Sequence, residues 1–486
     1  MHPPQNPDVP SIAARLDRLP VTSLHRRFTR LIALGNFFEI YELFLSGVLA
    51  TTLKTTFALS GLGLSLVLAS AFVGAFIGAV LIGRCADRIG RRTAYMITLS
   101  LYSAATLACA FAPSLWTLVA FRFVAGIGLG GELPVTDSFL GDLLPPARRG
   151  RYTARAFTAA YLAVPVVGLL GTVLVDGAPL GIAGWRWMFA IGALGALLTF
   201  LLRRGLPESP RWLESVGRTT EADEITTLFE KAAEAEGWTR PAGTEGAAAD
   251  HALPNQTPRP LPVTSLFRPP LARRTALMAV LWILAPIGYY GFSSLATLVL
   301  ASKGLDVSSS LTYLTFSFIG YPLGSYLSML VMEKAERKWI LCASLAGMAL
   351  SGLAYGNATT KVAIITAGFC FTMVANVMSN AGHIYLLEQF PTSVRTTGTG
   401  WVYSLSRLST AAAPFYLIPL LDSFGAGAVF ALVAAAMLLA SVAVAFGVRT
   451  TGLSVETIAG PAPSTAPSPA PAQPATPATL SAHETH

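Results

Sequence analysis

Gly83-Arg-Cys-Ala-Asp87-Arg88-Ile-Gly90-Arg91-Arg92 is a charged, glycine-framed segment between two apolar runs, and it has a counterpart in Glu333-Lys334-Ala-Glu336-Arg337-Lys338. Asp87 and Glu333 stand 246 residues apart. A second pair of segments keeps the same distance: Asp142, Pro145 and Arg149 each fall 246 residues before Glu388, Pro391 and Arg395. Two separate loops that share one offset argue for a duplicated unit.

What is duplicated follows from composition. Of 486 residues 53% are apolar and only 12% charged, about half the charge of a soluble domain. Apolar runs long enough to cross a bilayer, about 17 to 25 residues, occur twelve times: 31–53, 62–83, 93–111, 116–140, 152–175, 185–203, 274–300, 309–332, 339–355, 361–388, 397–421 and 424–447. The expected fold is an all-α polytopic membrane protein, twelve transmembrane helices in two six-helix repeats. Residues 1–204 would form the first bundle, 205–272 a connector, 273–448 the second bundle and 449–486 a tail. Such a repeat suits a transporter, with a site near the midplane between bundles.

Lys and Arg in the connecting segments split 28 to 4 between the two faces, which puts both termini and the connector in the cytoplasm by the positive-inside rule. The net charge of +8 therefore reflects insertion bias rather than nucleic-acid binding. The first thirty residues carry five arginines and no apolar signal core, so the first span is expected to persist in a bacterial inner (plasma) membrane. Residues from about Glu221 to Glu236 read as an amphipathic surface helix. The stretch 240–262 and the Pro/Ala-rich tail from Gly460 read as disordered. Cys85, Cys109, Cys342 and Cys370 lack metal-ligand spacing and read as buried thiols.

Gly83-x-x-x-Asp87-Arg88-x-Gly90-Arg91-Arg92 resembles the signature of the major facilitator superfamily, and Pro207-Glu-Ser-Pro-Arg-Trp-Leu213 is similar to its sugar-porter and organic-ion branch. Gly130-Gly-Glu132-Leu-Pro134-Val, Glu333 to Leu341 and Glu388-Gln-Phe-Pro-Thr-Ser-Val-Arg395 are similar to the bacterial niacin transporter group among the metabolite:proton symporters. The resemblance spans about residues 15–448. It departs at Phe38-Glu39-Ile-Tyr-Glu42, where that group has aspartates, and at Glu336, where it has glycine.

Charged groups at membrane depth cost about 2.5 to 3.5 kcal/mol each on insertion scales, so each needs a partner or a task. Glu39 and Glu132 lie at similar depth, and Glu42 shares a helical face with Glu39; all three are candidates for carrying the coupled proton. One of them could instead pair structurally with Arg122. Arg407 lies about 15 Å into span eleven, and the resemblance places an arginine there. Its planar fork suits a carboxylate, with a structural ion pair as the alternative. Asn376, Asn380 and His383 form one polar stripe on span ten, which either lines the cavity or joins helices. Tyr289, Tyr290 and Trp401 could stack on an aromatic ring. Gly83, Asp87, Arg88, Gly90, Arg91 and Arg92 would form a conformational latch, with Asp87 facing a helix dipole.

Gly126-Ile-Gly128-Leu-Gly130-Gly131 satisfies a dinucleotide pattern but sits inside an apolar span with no strand before it, so close helix packing is expected there. No Walker A, HExxH or GxSxG motif occurs, which disfavours ATP and an enzyme. The expected activity is proton-coupled uptake of a small organic anion, such as the aromatic carboxylate nicotinate, by alternating access. Rivals are a sugar or organic-ion porter, an efflux antiporter and a non-transporting sensor. The expected partners are that anion, protons and the lipid bilayer. No cofactor, metal, ATP or nucleic acid is expected, and no oligomer is required.

Overall fold

A computed structural model describes residues 11–239, 263–269, 271–332, 334–390 and 394–450; the side chains at 83, 84, 87, 133, 134, 137, 138, 146, 147, 395 and 396 lie outside that description. The expected disordered stretches, 240–262 and the tail, also lie outside it.

The described residues are almost wholly helical. In the first half they form α1 (Ile12–Arg18), α2 (Ser23–Val48), α3 (Ala50–Thr56), α4 (Gly61–Ile89), α5 (Arg91–Ala110), α6 (Leu115–Leu143), α7 (Pro146–Tyr161), α8 (Ala163–Leu174) and α9 (Gly184–Arg203). The connector contributes α10 (Pro210–Ser215) and α11 (Thr219–Ala235). The second half holds α12 (Leu271–Ser302), α13 (Val307–Phe318), α14 (Gly320–Val331), α15 (Arg337–Asn357), α16 (Lys361–Gln389) and α17 (Arg395–Ala445). Side-chain caps mark several starts, as expected where the first backbone N–H groups lack helical partners. Thr22, Ser60, Ser114, Asp306 and Thr360 each accept an N–H from the third residue on.

Among the described residues eleven helical segments are long and apolar enough to cross a membrane, and the longest accounts for the twelfth span. At 51 residues, α17 would be about 75 Å long if straight, far beyond the roughly 30 Å of a bilayer core. It breaks at Gly425, whose φ of 77° and ψ of −177° suit glycine alone. The α7/α8 and α13/α14 pairs are single spans with a break at Leu162 and Ile319. Each break lies three residues before a proline, Pro165 or Pro322, whose ring clashes with the carbonyl four residues back and donates no N–H.

Outward-facing Leu169, Leu197, Leu350 and Leu439 are exposed, a surface that suits lipid. Inside, α4 and α6 cross closely. A Cβ on Gly74, Gly78, Gly126 or Gly130 would strike the facing backbone at Phe123, Ile127, Ala71 or Ala75, so the glycine run in α6 serves packing. Cys109 is buried but Cys85 is exposed, a correction to the expectation of buried thiols: Cys85 sits at the solvent-side end of α4.

The halves meet at the face away from the termini. Thr297 Oγ1 donates to the Gly47 carbonyl at 3.0 Å, Ser65 Oγ to that of Pro414 at 3.1 Å, and Lys54 lies 4.0 Å from Asp422. At midplane, Tyr289 of α12 donates to Tyr161 of α7 at 3.2 Å, and Tyr161 stacks on Tyr321 of α14. On the terminal face α11 fulfils the amphipathic reading. Its Phe229 and Ala233 pack with Ile12, Leu16 and Trp212, while Arg15 bonds Glu230 through Nε and Nη2 at 2.9 and 2.8 Å.

Candidate functional site

A small cavity lies against α12, α16 and α17. Its walls carry Trp282, Tyr289, Tyr290, Ser379, His383 and Tyr403. Trp282 and Tyr289 share a helical face because seven residues is two turns, and Pro286 between them interrupts the α12 ladder. The Trp282 ring stands edge-on to His383 at 4.8 Å and to Tyr403 at 5.5 Å. The result is a slot with aromatic walls.

Arg407 lies behind two of these rings and is not itself among the cavity residues. It is 2% exposed and makes no ion pair among the described residues. Its Nη2 donates to the Tyr403 hydroxyl at 2.6 Å and its Nη1 to the Tyr290 hydroxyl at 3.3 Å. The guanidinium also lies 4.9 Å from the centre of the Tyr403 ring, while its Nε has no hydrogen-bond partner. The charge of Glu39 of α2, itself buried, acts on this guanidinium. A buried cation held by neutral hydroxyls retains most of its charge for an anion, since two tyrosines solvate it without neutralising it.

The three carboxylates expected together at midplane fall in different surroundings, all of them buried. Glu42 forms a direct ion pair with Arg122 of α6, the pairing weighed from sequence. Glu132 lies 3.6 Å from Nη1 of Arg203 in α9. Arg203, the last residue of the sixth apolar run, is a membrane-helix residue with no exposed surface. It donates to the Leu31 and Ile32 carbonyls at 2.9 and 2.8 Å and lies over the Tyr95 ring at 4.0 Å. Room for it comes from Gly35, where any Cβ would collide with the guanidinium.

The polar stripe on α16 divides. Asn376 donates to the Tyr321 carbonyl at 2.6 Å and Asn380 to the Ser328 hydroxyl at 2.7 Å, so both tie α16 to α14. His383 is exposed on the cavity wall. Trp401 stands edge-on to Phe267 at 5.2 Å and is not among the cavity residues.

Around the glycine-framed loop, the structure brings together parts far apart in sequence. The Arg92 N–H donates to Glu208 at 2.9 Å and its Nη2 to the Arg204 carbonyl at 2.6 Å. Gly90 has φ of 101°, and a Cβ there would meet Glu208. Ser209 donates to Asp142 at 2.7 Å, and Arg91 Nε lies 4.0 Å from the same carboxylate. Burial pushes the Asp142 carboxyl up, opposed by Ser209 and Arg91. Arg88 is exposed; the side chain of Asp87 and the surroundings of Gly83 lie outside the described residues.

Sequence reasoning missed Trp282 and Arg203. The first was findable from its two-turn spacing to Tyr289. The second closes the apolar run 185–203, where its pairing depends on a carboxylate 71 residues away in sequence.

Comparison with known proteins agrees with this architecture. The family model described as Major Facilitator Superfamily matches residues 32–414. A Bacillus subtilis protein named for metabolite transport, YyaJ, is 32% identical over 82% of this chain and 86% of its own length. The niacin transporter NiaP of Acinetobacter baylyi is 29% identical over 92% of this chain and 99% of its own length. Among solved structures, a partially occluded inward-open conformation of the xylose transporter XylE from E. coli superposes with a TM-score of 0.71 at 20% identity, covering 88% of this chain and 99% of that one.

Proposed function

Because the chain belongs to the Major Facilitator Superfamily, a family of multi-pass membrane transporters, we propose that it carries a small aromatic carboxylate across the bacterial inner membrane together with protons, by alternating access. Arg407 is the observation that carries this reading: a buried guanidinium whose hydrogen-bond partners, the Tyr290 and Tyr403 hydroxyls, belong to two of the rings that wall the cavity. An aromatic acid fits both features, its carboxylate on the planar fork and its ring between Trp282, Tyr289 and Tyr290. The niacin relative is named for a substrate of this chemistry.

Coupling follows from electrostatics. Glu39 and a bound carboxylate would share one cation, and two negative charges there repel, so the anion binds best when Glu39 carries a proton. Empty and doubly loaded carriers then cross the barrier more readily than singly loaded ones. We assign Glu39 the coupling role, while Glu42 and Glu132, each holding an arginine, order the first bundle. The contacts among Gly90, Arg92, Glu208, Ser209 and Asp142 act as a latch on the terminal face, which lies in the cytoplasm.

Thermal melting of the purified protein with carboxylates, sugars and organic cations tests the substrate class, since a ligand selective for the folded state raises its stability by mass action. Benzoate and nicotinate are expected to raise the melting temperature, with their methyl esters and xylose inert. Stabilisation by sugars and not by acids would overturn the reading.

A further inference from the structure

We infer that His383 selects, among aromatic carboxylates, those that bring a hydrogen-bond donor on the ring, hydroxylated aromatic acids above all. The inference rests on the aromatic-carboxylate reading and adds what the far end of the slot recognises.

The tautomer decides it. His383 Nδ1 lies 2.7 Å from the Ser379 carbonyl. A carbonyl can only accept, so Nδ1 carries the hydrogen, and in a neutral imidazole Nε2 is left as an acceptor. Among the described residues Nε2 has no partner, and the ring is exposed on the cavity wall. A second cation there would stand close to Arg407, with one tyrosine between them. The wall thus offers a lone pair.

Placement matches a single aromatic ring. Tyr403 lies between the two recognition groups: its ring is 5.7 Å from that of His383 and its hydroxyl is 2.6 Å from Arg407. A ligand that draws its carboxylate to Arg407 and lays its ring alongside Tyr403 would carry a ring substituent toward His383. A phenolic O–H there donates to Nε2. A pyridine nitrogen presents a second lone pair, and two acceptors leave each other unsatisfied. The other unpartnered ring nitrogen, the Trp282 Nε1–H, is shut off from the cavity surface and offers a pyridine no alternative. The slot therefore discriminates between two acids of nearly equal shape.

Titration calorimetry on the full-length protein with benzoate, nicotinate, 3-hydroxybenzoate and 4-hydroxybenzoate tests this. The better hydroxybenzoate is expected to bind the wild type roughly five- to tenfold more tightly than benzoate or nicotinate, the worth of one hydrogen bond. His383→Phe keeps the aromatic wall and removes the acceptor, so it should bring the four acids within about twofold of one another. Equal wild-type affinities for all four acids, or a preference that survives His383→Phe, would overturn the inference and leave the aromatic-carboxylate reading standing. Binding of none of the four would remove both.

Discussion

The Arg203 guanidinium lies 3.6 Å from the Glu132 carboxylate, and neither side chain has exposed surface. The same arginine bonds two carbonyls of α2, so one cation at the end of α9 ties together α2, α6 and α9. Removing one member of a buried pair strands the other's charge, at a cost of about 3–5 kcal/mol. Arg203→Met should therefore lower the thermal stability of the purified protein sharply. Arg203→Met with Glu132→Leu should recover most of it. An unchanged melting temperature in the single variant would show that the pair carries no stability.

Topology gives a second test. If the proposed orientation holds, with both termini and the connector in the cytoplasm, a cysteine at exposed Glu234 of α11 stays unlabelled by an impermeant thiol reagent in intact cells. It should label once the membrane is opened. The background must lack the exposed Cys85. Labelling in intact cells would invert the orientation.

Much of this was legible in the sequence because it depends on composition and spacing alone. Apolar run length marks the spans, the 246-residue offset marks the repeat, and the Glu221–Glu236 pattern anticipates α11. Pairing of buried charges was not legible. It depends on how each helix is rotated, and one residue's change of position turns a side chain by about 100°. Hence Glu42 met the arginine already suspected, while Glu132 met Arg203 at the far end of another span. Asn376 and Asn380 share a stripe with His383, yet a small shift in facing sends the two amides to α14 and the imidazole to the cavity.

The latch predicts a separation of binding from transport. Glu208 accepts the Arg92 N–H at 2.9 Å far from Arg407, so Glu208→Ala should slow initial uptake several-fold without altering the Kd for an aromatic acid. Measured on one preparation, a loss confined to affinity would contradict the role given to these contacts.

At the anion site, charge and shape can be parted. Arg407→Lys keeps the charge but loses the planar fork, and is expected to bind benzoate at least tenfold more weakly than wild type. Arg407→Ala should show no measurable binding. Unchanged benzoate affinity in Arg407→Ala would make the residue structural.

Proton coupling is the central claim, and gradient-driven uptake tests it most directly. Proteoliposomes with the membrane potential clamped and the outside made acidic are supplied with radiolabelled benzoate, alongside protein-free liposomes that report passive entry of the acid. Wild-type protein should concentrate benzoate above the protein-free level. Glu39→Gln, fixed in a proton-loaded form, should still exchange internal for external benzoate but should not accumulate it. If wild-type accumulation ignores the gradient, or Glu39→Gln concentrates benzoate as well as wild type does, the coupling mechanism given to this site is wrong.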